Sequence, residues 1–264
     1  MEIIRLSNGE GLLVEGPARI DISQGTVNLF GKSYSVGEKL VVVYGKTYPL
    51  QAISNSELKL FLGSSSKYTR VKERLIPQEW DNLVNHLLNQ KRKVVMILGD
   101  EDTGKSSLAL YTANKLSSQG WKTAVVDADI GQSDVGPPGV IGLCVVDAPL
   151  PTLTDVPLLS GFFIGDKSPV GHFPAMIYGT KKMVDEALNL SVKTILINTT
   201  GMIYGRHARD LKEKKIEAVS PNMVVILQRE KEIEHLVTLF KNKIVILRLP
   251  VPPRIKRTSR RKRI

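Results

Sequence analysis

Over residues 1–70 the chain alternates short apolar runs with turn residues. The runs 12–17, 19–22, 26–30, 39–44 and 56–62 are strand candidates. Gly16-Pro17, Gln24-Gly25, Gly31-Lys32, Gly37-Glu38 and Gly45-Lys46 punctuate them as turns. This spacing predicts a small all-β domain, a β-sandwich, over residues 1–70, with Gly63-Ser64-Ser65-Ser66-Lys67 as the loop that ends it. The pattern then changes period. Trp80, Leu83, Val84, Leu87 and Leu88 fall at helical spacing behind Pro77, which predicts a helix over 77–90. From there strands (94–98, 123–126, 141–146, 158–163, 194–197, 223–227, 244–249) alternate with helices (105–118, 180–190, 208–218, 230–240). Such alternation predicts an α/β domain over residues 71–264, a parallel sheet flanked by helices.

One stretch organises that second domain. Gly99-Asp100-Glu101-Asp102-Thr103-Gly104-Lys105-Ser106-Ser107 reads G-x-x-x-x-G-K-S, the pattern of a phosphate-binding loop. Val94-Val95-Met96-Ile97-Leu98 before it has the continuous apolar character of a buried parallel strand. Leu108, Ala109, Tyr111, Ala113 and Leu116 after it suit a helix packed on a sheet. In that strand–loop–helix setting the loop N–H groups and the helix N-terminus hold phosphate oxygens. Lys105 is then expected to reach the β and γ phosphates, and Ser106 to ligate Mg²⁺. ATP and Mg²⁺ are the expected cofactors, the absence of an N-K-x-D segment disfavouring a guanine-specific site.

A second acidic cluster follows the next strand, Asp127-Ala128-Asp129-Ile130-Gly131-Gln132. The C-terminal edge of an open parallel sheet is where ligands bind, which places both carboxylates beside the phosphate loop. Residues i and i+2 on a strand share a face. One acid can serve Mg²⁺ and the other can accept the proton of a hydroxyl nucleophile.

Composition narrows the partners. The formal net charge is +11, from 37 basic and 26 acidic residues. Seven of the positive charges stand within residues 254–264, leaving +4 for the rest of the chain. A local basic cluster fits a polyanion, and equally a solvated tail. The single cysteine, Cys144, lies in an apolar run and reads as packing; one thiol fits a reducing cytosol. No apolar run is long enough to span a bilayer and the N-terminus has no signal-peptide layout, so a cytoplasmic protein with no membrane partner is expected. His86, His172, His207 and His235 show no metal spacing, and Trp80 and Trp121 read as packing residues.

Together these motifs resemble the polynucleotide 5′-hydroxyl kinases, the P-loop family of the pre-mRNA cleavage factor ATP-binding subunit and the nucleolar rRNA-processing kinase. That family's phosphate loop has an acid where Asp102 stands, and its second motif, D-x-D-x-G-Q followed by P-G, is matched by Asp127 to Gln132 with Pro138-Gly139. Supporting matches are Val14-Glu15-Gly16-Pro17-Ala18, Gly161-Phe162-Phe163-Ile164-Gly165 with Ser168-Pro169-Val170-Gly171-His172, and Asn198-Thr199-Thr200-Gly201-Met202. The resemblance implies phosphoryl transfer from ATP to the 5′-hydroxyl of RNA, with DNA as an alternative acceptor. It implies Lys105 and Ser106 on ATP and Mg²⁺, Asp127 activating the hydroxyl, and Asp129 and Gln132 supporting metal and nucleophile. Thr200-Gly201 would clasp the terminal nucleotide, with Met202 where relatives carry a base-stacking Trp. Glu15 and Lys46 would help to hold adenine. Arg257 and Arg261 have the R-x-x-x-R spacing of an Arg-rich lid, and relatives extend beyond the position where this archaeal-like chain stops, Ile264. Two other readings stay open: an ATP-holding, catalytically weak subunit working with other RNA-processing proteins, and a P-loop ATPase whose hydrolysis drives a conformational change.

Overall fold

The computed structural model describes residues 1–90, 93–238, 240 and 244–253. They divide into two compact units, Met1–Pro77 and Gln78–Ile264.

The first unit is built from nine strands: β1 (Glu2–Leu6), β2 (Gly11–Glu15), β3 (Ala18–Gln24), β4 (Thr26–Leu29), β5 (Lys32–Ser35), β6 (Lys39–Val42), β7 (Thr47–Ala52), β8 (Ser56–Leu62) and β9 (Lys67–Val71). They form two antiparallel sheets, in the orders β1-β8-β3-β6 and β5-β4-β7-β2-β9. Alternate side chains of both sheets (Leu12 and Val14, Ile20 and Ile22, Leu58 and Leu60) meet in one apolar core, which makes the pair a sandwich. Strands β1, β5, β7 and β9 were not among the expected ones. Each is short or carries polar residues that hide the period-2 signal. β9 begins at Lys67, the last residue of the expected loop at 63–67, and the unit continues to Pro77.

The second unit opens with helix α1 (Gln78–Leu88), followed by β10 (Lys93–Gly99) and α2 (Lys105–Ser117). Then come β11 (Thr123–Ala128), β12 (Val140–Val146), β13 (Ser160–Phe163), α3 (Phe173–Leu188), β14 (Thr194–Thr199), α4 (Gly205–Val219), β15 (Met223–Gln228), α5 (Glu234–Val237) and β16 (Val245–Pro250). Seven strands make one sheet in the order β13-β12-β11-β14-β10-β15-β16. The five strands from β11 to β16 in that order run parallel, whereas β12 and β13 are antiparallel additions. The parallel sheet expected from the alternation is present in five strands, and β12 and β13 extend it on one side as antiparallel strands. A parallel neighbour needs a crossover of a dozen or more residues, usually helical; no helix separates β11 from β12, so the chain turns straight back.

Helix α2 is buried on nearly all sides, from Lys105 through Ser117. Its buried Asn114 is satisfied by the backbone of Leu150, donating to O at 2.8 Å and accepting from N at 3.0 Å. Helix α3 starts seven residues ahead of its expected position, with Pro174 in its first turn, and α5 is shorter than the expected 230–240. Trp80 and Cys144 are buried as packing residues, Trp80 meeting Tyr111 edge to face. Among the described residues no helix is long and apolar enough to cross a membrane.

Candidate active site

The C-terminal ends of β10, β11 and β14 converge, and the described side chains that the sequence singled out as site residues in this unit lie at or just beyond those ends. Between β10 and α2 the phosphate loop closes on itself. Thr103 Oγ1 donates to Asp100 O at 2.9 Å, and the Glu101 amide donates to Asp100 Oδ1 at 2.8 Å. Gly104 is the residue before α2 and has φ 90°, a left-handed conformation that glycine adopts without a Cβ penalty. Asp102 also has positive φ, 52°. Non-glycine residues held there are strained and concentrate at functional sites. Arg229, beyond β15, secures that strained residue by donating from Nη2 to Asp102 O at 2.6 Å.

Lys105 is buried, and its Nζ donates to Asp100 O at 2.8 Å. Burial pushes its pKa down, while Asp129, Asp100, Glu101 and Asp102 oppose the shift. An ammonium held in this way beside the loop is suited to a phosphate oxygen, which would supply the charge that the carbonyl lacks.

Asp127 and Asn198 are paired across neighbouring strands β11 and β14. Asn198 Nδ2 donates to Asp127 Oδ1 at 2.9 Å and to Ser106 Oγ at 3.1 Å. One amide therefore joins the predicted metal ligands of two separate motifs. The turn after β11 wraps Asp127 with further donors: the amides of Asp129 (3.1 Å), Asp134 (2.7 Å) and Val135 (3.2 Å). Asp127 has no exposed surface. Desolvation raises its pKa to about 7, although the Asp134 and Asp129 amides pull the other way. Asp129 is half-buried, just past the strand end, and Gln132 is exposed in the same turn.

Thr200, Gly201 and Met202 follow β14. A Cβ on Gly201 would stand 2.7 Å from the Glu101 amide nitrogen and 2.8 Å from its Cα, so only glycine allows this segment to lie against the phosphate loop. Met202 packs against the apolar core. The next aromatic, Tyr204, is exposed and stacks on His235, whose Nε2 lies 2.8 Å from Ile203 O. His207 is exposed in the first turn of α4, its ring edge-to-face with Phe173.

Two lysines on α4 complete the neighbourhood. Lys212 and Lys215 are both fully buried. Lys212 Nζ donates to Thr200 O at 2.6 Å and to Thr199 Oγ1 at 3.0 Å, with Thr200 Oγ1 at 3.2 Å. Lys215 Nζ is a buried atom with no hydrogen-bond partner among the described residues. Desolvation lowers its pKa to about 8 against the opposing pull of Asp129 and Asp127. Sequence reasoning missed both, along with Arg229, and quoted Asn198 only as part of a motif, without a role. A signal was present: Ala208, Leu211, Lys212, Lys215, Ile216 and Val219 follow one apolar stripe of α4, so the two lysines occupy core positions.

Two of the remaining sequence-predicted residues belong to the first unit. Glu15 ends β2 in the first unit, with Lys67 Nζ 3.5 Å away, and Lys46 is exposed in the turn after β6. Arg257 and Arg261 lie outside the described residues.

Comparison with known proteins gives these features a setting. The family model described as the mRNA cleavage and polyadenylation factor CLP1 P-loop matches residues 99–264. A polyribonucleotide 5′-hydroxyl-kinase of Pyrococcus abyssi is 40% identical over 174 residues, 66% of this chain and 48% of the relative. One from Methanocaldococcus jannaschii is 35% identical over 175 residues, 66% and 48% of the two chains. The chain spans about half the length of these curated relatives. The solved structure of a wild-type Clp1p–Pcf11p complex resembles this chain with a TM-score of 0.78 at 17% identity, covering 99% of this chain and 69% of that one. That likeness bears on the fold.

Proposed function

The chain belongs to the CLP1 P-loop family, and from that premise we propose that it transfers the γ-phosphate of ATP to the 5′-hydroxyl end of RNA. The observation that carries the reading is the Asn198 amide, which binds Ser106 of the phosphate loop and Asp127 of the acidic motif to one point. The names of the relatives, polyribonucleotide 5′-hydroxyl-kinases, support RNA as the acceptor.

The donor side follows from the loop. Its amides and the N-terminus of α2 hold the phosphates, and Lys105 neutralises their charge. A hydroxyl is a hard oxygen donor that suits Mg²⁺; Ser106 would hold it, with the enclosed Asp127 behind it through the shared Asn198 amide. When bound, that ion neutralises charge on the transferring phosphoryl group.

On the acceptor side the two acids divide the work by exposure. Asp127, enclosed by its own turn, holds the site together. Asp129 is the open one and takes the proton of the incoming hydroxyl, with Gln132 beside it in the turn. Asp127, expected from the resemblance to activate the hydroxyl, is assigned the organising role because it has no exposed surface. Thr200-Gly201 receives the terminal nucleotide next to the phosphate loop. Catalysis of this kind is mostly positioning and charge stabilisation.

The test is incubation with γ-labelled ATP and matched RNA and DNA oligonucleotides bearing a 5′-hydroxyl. Label on the RNA, abolished by Lys105→Ala and by Asp129→Ala, is the expected result. A nucleotide-binding protein that labels neither oligonucleotide would refute the proposal, and equal labelling of DNA would widen the acceptor class.

A further inference from the structure

The segment from Thr200 to Tyr204 lies between β14 and α4, outside either element. Lys212 holds it through Thr200 O and Thr200 Oγ1, and holds the last residue of β14 through Thr199 Oγ1. All three are neutral oxygens. Thr199 Oγ1 in turn donates to Ile97 O at 2.8 Å, two residues before the phosphate loop. Gly201 closes the circuit by lying against Glu101. A continuous set of contacts therefore runs from α4 through the Thr199–Gly201 corner to the strand before the phosphate loop and to Glu101 within it.

Stability alone does not account for a lysine here. A fully buried amino group surrounded by neutral oxygens is costly, and an apolar side chain of similar volume is often at least as stable in such a position. Burial and the nearby Lys215 and Lys105 push the Lys212 pKa well down. What the amino group does that an apolar side chain cannot is bind a backbone carbonyl and two hydroxyls at once.

We propose that Lys212 is a positioning residue for the acceptor: it sets where Thr200-Gly201 stands relative to the phosphate loop without touching the nucleotide. This rests on the reading that the segment receives the RNA 5′ end. Second-layer hydrogen bonds of this kind fix the geometry of groups that meet the substrate.

The test uses the 264-residue chain with Lys212→Met, which keeps an unbranched stem, and Lys212→Gln, which keeps a shorter donor. Kinetics with a 5′-hydroxyl oligoribonucleotide are measured beside the affinity for a fluorescent ATP analogue. A misplacement of about 1 Å costs on the order of 100-fold. Lys212→Met is therefore expected to lower kcat/KM for the oligonucleotide by about that factor, with ATP-analogue affinity within about two-fold of wild type. Lys212→Gln should recover part of the loss. Parallel loss of both quantities, or an unchanged kcat/KM, overturns the proposal. If the wild-type chain transfers nothing to RNA, the kinase reading falls, and hydrogen exchange decides the positioning claim by itself. Faster exchange at residues 200–204 in a folded Lys212 variant, with α4 unchanged, supports it; unchanged exchange there overturns it. If Lys212→Met does not fold, Lys212→Gln is read against the same outcomes.

Discussion

Replacing Lys215 by methionine should stabilise the second unit at neutral pH. The Lys215 side chain has no exposed surface and its Nζ has no hydrogen-bond partner among the described residues. Burial lowers its pKa from 10.5 to about 8. A tenfold change in proton affinity corresponds to about 1.4 kcal/mol, so keeping the charged form buried costs about 3 kcal/mol. The sign follows from proton counting. Below pH about 8 the lysine is protonated in folded and unfolded chains, and the full cost applies. Between 8 and 10.5 the unfolded chain holds the proton and the folded one does not, so wild-type stability gains on the variant as pH rises. Above that range the titration contributes no difference. Methionine keeps an unbranched stem of similar length and buries no charge. Lys215→Met should therefore exceed wild type by up to about 3 kcal/mol at pH 7, a margin that shrinks toward pH 10.5. Urea unfolding followed by tryptophan fluorescence is the assay. Both tryptophans, Trp80 and Trp121, stand in the second unit, so the signal reports that unit. A less stable methionine variant at pH 7, or a margin that does not change between pH 7 and 10, would refute the reasoning.

Gly201→Ala places a methyl group against the Glu101 backbone and should lower kcat/KM for the oligonucleotide at least about ten-fold, measured with the melting temperature to separate the local shift from a loss of folded protein. Asn198→Ala removes the donor shared by Ser106 and Asp127. It should destabilise the second unit by about 1–3 kcal/mol in the same urea assay and raise the Mg²⁺ concentration needed for half-maximal transfer. Arg229→Ala frees the Asp102 carbonyl at the strained turn of the phosphate loop. Its expected signature is a several-fold rise in the KM for ATP with the oligonucleotide KM unchanged.

The parts of the molecule governed by local chemistry were legible in the chain. A phosphate loop needs glycines and a lysine at fixed offsets, because backbone angles and side-chain reach dictate them, so Gly99 to Ser107 was readable as a site. Central parallel strands are buried on both faces and therefore read as unbroken apolar runs, which marked β10, β11, β14 and β15. Asp127 and Asp129 announced themselves by standing at the end of such a run. The long apolar period of α1 was equally clear. Edge strands and short polar strands such as β5 and β9 carried no such signal, because neighbours rather than composition hold them in place.

Other features depended on residues distant in sequence meeting in space. Asn198 gains its meaning only when β14 lies beside β11 in the register that pairs it with Asp127. Lys212 and Lys215 are ordinary in a lysine-rich helix until α4 packs that stripe inward and burial takes away their water. The same burial separates two acids that are equivalent in the linear motif. Asp127 is enclosed by amides of its own turn, and Asp129 remains open. Spacing specified which groups this chain carries, through the stereochemistry of a few bonds. Desolvation and long-range pairing, which exist only in the folded chain, decided what each group can do.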